Sequence, residues 1–149
     1  VIEKKAADQE GLMRIGAILG NGSKEEIEML GRYGRMLGML SILRDDFIDM
    51  NYFEEIAHRI RYECLPLPIL YALEDPKTKS QICNILSKKK LTKNVARLLS
   101  EVVENANGFE QLKEKMKQLI AMGKTNLTTI KYCKETLNLL LDFMIQELE

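Results

Sequence analysis

Apolar residues recur at intervals of three and four along most of the chain, which is the spacing of an amphipathic helix. The first such segment, residues 2–19, ends at the turn signal Gly20-Asn21-Gly22. Its apolar face consists of Leu12, Ile15, Ile18 and Leu19. Ser23 and Glu26 then form a capping box, so the pattern predicts a long helix from there to about Phe53.

Prolines divide the next part of the pattern. Pro66-Leu67-Pro68 ends one segment, and Asp75-Pro76 supplies an N-cap and a first-turn proline for another. The helices predicted beyond Pro68 cover residues 69–73, 76–86, 92–103 and a last long segment from about 107. Because runs of β-branched residues are absent, the sequence predicts an all-α protein, with residues 1–149 forming a single helical domain.

Composition narrows the function classes. The 149 residues include 22 basic and 22 acidic side chains, and this zero net charge argues against a dedicated nucleic-acid binder. No stretch approaches the ~20 apolar residues of a transmembrane segment. The three cysteines are widely spaced and form no C-x-x-C pair, which argues against a disulfide framework or a thiolate zinc site. We therefore expect a cytoplasmic protein.

The candidate chemistry lies in Asp45-Asp46-Phe47-Ile48-Asp49, within the long predicted helix. Asp45 and Asp49 are four residues apart and share a helix face, with Asp46 about 100° around the helix. Three carboxylates repel one another and are costly to bury, unless they share a hard cation such as Mg²⁺ with a phosphate ligand. The alternative is that all three acids face water.

Glycines on the same predicted helix are the second unusual feature. Gly31, Gly34 and Gly38 follow one another at helical spacing. Each costs about 1 kcal/mol relative to alanine inside a helix. Their presence therefore indicates either close packing against another element or the approach of a ligand.

These landmarks occur in a recognisable order. Tyr33-Gly34 and Leu37-Gly38 precede the D-D-x-x-D motif, and Leu65-Pro66 with Tyr71-Ala72-Leu73 follows it. Upstream, Lys4 precedes a Gly-Ala-Ile-Leu helix end at residues 16–19. This arrangement resembles the second aspartate-rich motif of the trans-isoprenyl (polyprenyl) diphosphate synthase family and its surroundings.

The resemblance implies a helical bundle of the isoprenoid synthase type, present here as a C-terminal portion. It implies Mg²⁺-dependent prenyl transfer, in which isopentenyl diphosphate is condensed with an allylic diphosphate. The family pattern makes the three acids Asp45, Asp46 and Asp49 the metal ligands and catalytic residues, and Lys4 a contact of the diphosphate. Arg59 or Arg61 is the candidate replacement for a lysine that the family places before the proline segment. Isoprenoid diphosphates and a homo- or hetero-oligomeric partner chain are the expected partners.

The sequence also departs from the family pattern. Ser41-Ile42 stands where the family has Phe-Gln, Lys5 stands where it has Thr, and no second D-D-x-x-D occurs. Since Val1 is not a start methionine, we expect a piece of a longer chain. Because the family's first aspartate-rich motif lies upstream of the segment matched here, we expect this piece to be inactive alone and to expose the apolar helix faces that the upstream helices would cover. The alternative is a catalytically impaired helical subunit that binds and modulates an active prenyl diphosphate synthase.

Overall fold

The computed structural model describes residues 2–88, 91–128, 130, 133–146 and 148. Of the residues that the structure describes, 81% are helical and none is in a strand. The helices in this part of the chain are α1 (Ile2–Lys5), α2 (Ala7–Leu19), α3 (Lys24–Asp49), α4 (Phe53–Tyr62), α5 (Leu67–Ala72), α6 (Pro76–Leu86), α7 (Lys93–Asn105), α8 (Gly108–Thr125) and α9 (Lys134–Gln146). The all-α prediction is confirmed.

The helices form two compact units. The first contains Val1–Arg44 and Lys115–Glu149, and the second contains Asp45–Glu114. Helix α3 therefore begins in the first unit and ends in the second. The single-domain assignment for residues 1–149 stays a prediction.

Glycines allow α2 and α3 to approach closely in the first unit. A Cβ at Gly34 would lie 2.6 Å from the carbonyl oxygen of Gln9, and one at Gly38 would lie 3.0 Å from Cα of Ala6. A Cβ at Gly31 would lie 2.6 Å from Nε of Arg14. Of the two explanations that the sequence left open for these glycines, the structure supports close packing.

Polar contacts supplement this packing. The Glu10 carboxylate accepts hydrogen bonds from Arg14 on its own helix and from Arg35 on α3. The buried Tyr33 hydroxyl donates to the carbonyl oxygen of Leu137 on α9 at 2.9 Å. Burial raises the pKa of Tyr33 to about 12, because the phenolate would lose its hydration.

The predicted apolar face of α2 remains exposed. The exposed fractions are 61% for Leu12, 55% for Ile15, 58% for Ile18 and 82% for Leu19. Ala17, by contrast, is buried on this helix. Helix α2 therefore packs through Ala17 and its glycine-facing side, while these four large apolar side chains stay more than half exposed in the described part of the chain.

The capping box at the start of α3 is confirmed. The Ser23 amide donates to Glu26 at 2.8 Å, and the Glu26 amide donates to the Ser23 hydroxyl at 3.2 Å. The predicted end of this helix is wrong, because α3 ends at Asp49 rather than near Phe53. There the amides of Asn51 and Tyr52 turn back to the carbonyls of Ile48 and Asp49, which tightens the last turn and closes the helix.

The second unit has its own apolar core. Its buried members come from α4 to α7 and the segment after α3: Met50, Ile56, Ile69, Ala72, Ile82, Ile85, Leu99 and Val103. Helix α6 begins at Pro76, with the Asp75 side chain accepting from the Lys77 amide as predicted. Among the described residues, no helix is both long and apolar enough to cross a membrane.

Candidate functional site

The three candidate aspartates lie at the C-terminal end of α3. The sequence placed them inside a helix predicted to reach about Phe53, but Asp49 is the last helical residue. A helix C-terminus carries partial negative charge, so carboxylates there are unfavourable without a cation nearby. The nearby cation is Arg59, which lies in the last turn of α4 and in the same unit as the aspartates.

Asp46 is buried and has both carboxylate oxygens engaged. Its side chain is only 6% exposed, and Oδ1 lies 2.6 Å from Nη2 of Arg59. Oδ2 accepts a hydrogen bond of 2.9 Å from the amide of Leu67, the first residue of α5. Asp46 therefore links the end of α3 to α4 and to the start of α5.

Asp49 shares the same guanidinium. Its Oδ2 lies 2.8 Å from Nη1 of Arg59, and its side chain is 24% exposed. Burial alone would lower the pKa of Arg59, but its contacts with Asp49 and Asp46 outweigh burial and raise that pKa above its usual value. Arg59 is therefore a permanent positive charge held between two carboxylates.

Asp45 differs from both of its neighbours in the motif because it is exposed. It lies one helical turn before Asp49, and the two residues share a side of α3. The motif thus has one buried carboxylate, one partly buried carboxylate and one exposed carboxylate.

Aromatic packing fixes the rotation of this helix end. Phe47, between the aspartates, meets the ring of Phe109 edge-on, with 5.3 Å between ring centroids. The Lys113 ammonium lies 5.6 Å from the centroid of the Phe47 ring. These contacts hold Phe47 inward, so the orientation of Asp46 and Asp49 does not depend on their ion pairs alone.

The other predicted diphosphate contacts are exposed. Arg61 lies in the last turn of α4, and Lys4 lies in α1, in the first unit. The structure therefore brings Arg59 to the aspartates of the second unit, while Lys4 and Arg61 stay predictions as substrate contacts.

The three predicted metal ligands differ in how exposed their carboxylates are. Within the described part of the chain, no three His, Cys, Asp or Glu side chains converge as a metal cluster. Both Asp46 oxygens are in contact with Arg59 or with the Leu67 amide, whereas Asp45 and Asp49 are the two more exposed carboxylates of the motif. Mg²⁺ commonly binds through one or two carboxylates, with substrate phosphates and water completing its six ligands. The pair fits this type of site.

Sequence reasoning missed the partnership between Arg59 and Asp46 and the role of the Leu67 amide. Both contacts join residues that are distant in sequence, so helical periodicity carries no information about them. One available signal was the location of Arg59 near the end of a short amphipathic segment that follows the acids.

No profile of a known protein family matches the chain. The chain is 28% identical over 153 residues to the geranylgeranyl diphosphate synthase of Methanosarcina mazei, covering 97% of this chain and 46% of that protein. It is 27% identical over 155 residues to the short chain isoprenyl diphosphate synthase of Methanothermobacter thermautotrophicus, covering 98% of this chain and 47% of that protein. The chain thus spans about half the length of these curated relatives.

Solved structures show the same fold. The geranylgeranyl pyrophosphate synthase of Corynebacterium glutamicum superposes with a TM-score of 0.78 at 21% identity, over 91% of this chain and 43% of that one. A second structure of that enzyme, complexed with calcium and isoprenyl diphosphate, gives a TM-score of 0.76 at 22% identity, over 90% of this chain and 44% of that one. A polyprenyl synthase of Roseobacter denitrificans gives 0.76 at 17% identity, over 93% of this chain and 48% of that one. The predicted fold, a partial portion of the isoprenoid synthase bundle, is confirmed.

Proposed function

We propose that the full-length protein catalyses Mg²⁺-dependent prenyl transfer, because this chain belongs to the trans-isoprenyl diphosphate synthase family. The substrates would be isopentenyl diphosphate and an allylic diphosphate. The observation that carries the proposal is the pair Asp45 and Asp49, which lie one turn apart at the end of α3. This pair stands in a chain of which 97% aligns with a geranylgeranyl diphosphate synthase.

Each acid has a distinct role in this proposal. Asp45 and Asp49 hold the metal with the diphosphate, and Asp46 assists by anchoring the helix end. Mg²⁺ at such a site supplies Lewis-acid stabilisation of the departing diphosphate. Leaving-group departure needs charge neutralisation rather than a protein nucleophile, which matches a site built of carboxylates and cations.

Cationic side chains supply the remaining neutralisation. Arg59 is already at the carboxylates, and the exposed Arg61 lies on the same helix. We propose Arg61 and Lys4 as further diphosphate contacts, since guanidinium and ammonium groups both bind phosphate oxygens. The three cysteines are free, which supports the cytoplasm as the location.

A second candidate function is a helical subunit that modulates an active synthase. The departures at Ser41 and Ile42, where the family has Phe-Gln, favour it. The apolar face of α2 formed by Leu12, Ile15, Ile18 and Leu19 is between 55% and 82% exposed. Such a face suits coverage by other helices. They would belong either to a longer form of this protein or to a partner chain in a homo- or hetero-oligomer.

Product analysis separates these functions. The full-length protein is incubated with isopentenyl diphosphate, a series of allylic diphosphates and Mg²⁺, and products are identified by mass spectrometry. The proposal expects an elongated prenyl diphosphate that disappears when EDTA is added, and no product from the isolated chain of 149 residues. A folded full-length protein that gives no product alone, but alters the product of an added active synthase, would favour the modulating subunit.

A further inference from the structure

We propose that Arg59 is a positioning residue that makes the aspartate site bind a divalent cation together with a diphosphate and disfavour the free cation. The inference rests on the proposed function, because it concerns the same carboxylates. Through Arg59, the protein itself would discriminate between a bare metal ion and a metal–diphosphate complex.

The geometry shows that Arg59 does more than neutralise one buried acid. The Asp46 carboxylate alone would balance the charge of Arg59, and the two groups already form an ion pair at 2.6 Å. Arg59 nevertheless uses its second terminal nitrogen on Asp49, at 2.8 Å. The guanidinium is therefore shared between the anchoring carboxylate and a carboxylate that we propose holds the metal.

Burial makes this arrangement persistent. The Arg59 side chain is 14% exposed, and Asp46 is held from its other side by the Leu67 amide. Asp46 therefore fixes the guanidinium against α3 and prevents it from moving out to solvent. The position of the charge beside Asp49 is set by the fold.

The sign of the electrostatic effect depends on the ligand. A positive charge touching Asp49 repels a free divalent cation at that carboxylate. The same charge attracts a diphosphate, because guanidinium groups form strong hydrogen bonds to phosphate oxygens. Arg59 should thus weaken binding of the bare ion and strengthen binding of the ion with its diphosphate.

Isothermal titration calorimetry on the full-length protein tests this. Two dissociation constants are measured: Mg²⁺ alone, and inorganic pyrophosphate at a fixed excess of Mg²⁺. We expect Arg59→Gln to tighten binding of Mg²⁺ alone and to weaken binding of pyrophosphate, each by about tenfold, which is an ordinary coupling between two ligands. Arg97→Gln is the matched control and should change each constant by less than about twofold, because Arg97 is 83% exposed and pairs with Glu101 on its own helix, α7.

Arg59→Lys guards against a folding defect. An ammonium keeps the charge but cannot hold both carboxylates with a planar fork, so both constants should move in the same directions by a smaller factor. Unchanged constants in a folded Arg59→Gln protein would overturn the inference. If that variant does not fold, wild-type constants in Arg59→Lys would overturn it instead.

The outcome can be separated from that of the proposed function. If the wild-type protein forms product but Arg59→Gln does not change Mg²⁺ binding, this inference is wrong and prenyl transfer is still supported. Shifted binding constants without any prenyl product would support the inference and contradict prenyl transfer.

Discussion

Nη2 of Arg59 lies 2.6 Å from Oδ1 of Asp46. The two residues belong to different helices, α4 and α3, and both side chains are largely buried. The ion pair thereby attaches the C-terminal turn of α3 to the helix that follows it. Asp46 therefore anchors the end of α3, while Asp45 and Asp49 are the carboxylates that we propose hold the metal.

Asp46→Asn should destabilise the protein. The amide keeps the shape of the side chain, but it leaves the Arg59 charge paired with Asp49 alone. Breaking a buried pair in this way costs about 3 kcal/mol. Urea unfolding measures the loss, and the control Asp45→Asn should stay within about 0.5 kcal/mol of wild type because its carboxylate is exposed. Equal stabilities for the two variants would remove the anchoring role of Asp46.

Gly34→Ala should be destabilising and Gly16→Ala stabilising, although both sites are within helices. A Cβ at Gly34 would meet the carbonyl oxygen of Gln9 at 2.6 Å, whereas nothing lies within 4 Å of one at Gly16. Overpacking against backbone costs about 1–3 kcal/mol, and the gain in helix propensity is about 1 kcal/mol. Thermal unfolding of the pair checks this, and a stabilised Gly34→Ala protein would contradict the close approach of α2 and α3.

Tyr33 should make stability fall at alkaline pH. Its pKa is raised to about 12 in the folded protein from an ordinary value of 10.0. A raised pKa means that the buried phenol's contribution is complete below pH 10 and is lost as the pH rises toward 12. The loss amounts to about 2–3 kcal/mol at most, at about 1.4 kcal/mol per pKa unit.

Comparing Tyr33→Phe with wild type in urea unfolding from pH 9 to 12 isolates this effect. Wild type should be more stable by about 1 kcal/mol at pH 9 through the bond to Leu137. That advantage should vanish or reverse near pH 12. Tyr52→Phe, at an exposed position, should show no such change. Parallel curves for wild type and Tyr33→Phe would contradict the raised pKa.

Local signals in the sequence predicted local structure well. The capping box of Ser23 and Glu26 and the Asp75-Pro76 start of α6 are both present in the structure, because their bonds join residues two or three positions apart. The end of α3 was missed because no glycine or proline marks it. Backbone bonds from Asn51 and Tyr52 close the helix instead.

Non-local relationships explain the rest. From the sequence, the α3 glycines could serve either close packing or the approach of a ligand. The close position of α2 in the structure shows that they serve packing. Periodicity likewise grouped the α2 hydrophobics into a face but could not say whether anything covers it. Arg59 was a candidate diphosphate contact, and its partnership with Asp46 and Asp49 follows from the packing of α4 in the second unit.

Turnover of Asp45→Asn in the full-length protein tests the central claim most directly. Prenyl product formation with saturating Mg²⁺ is measured for wild type and the variant, with circular dichroism and urea unfolding recorded on the same samples. We expect turnover to fall by about 100-fold or more, since the substitution removes a metal-holding carboxylate, while helicity and stability are retained. Turnover within twofold of wild type would contradict the assignment of Asp45 and Asp49 as the metal-holding pair.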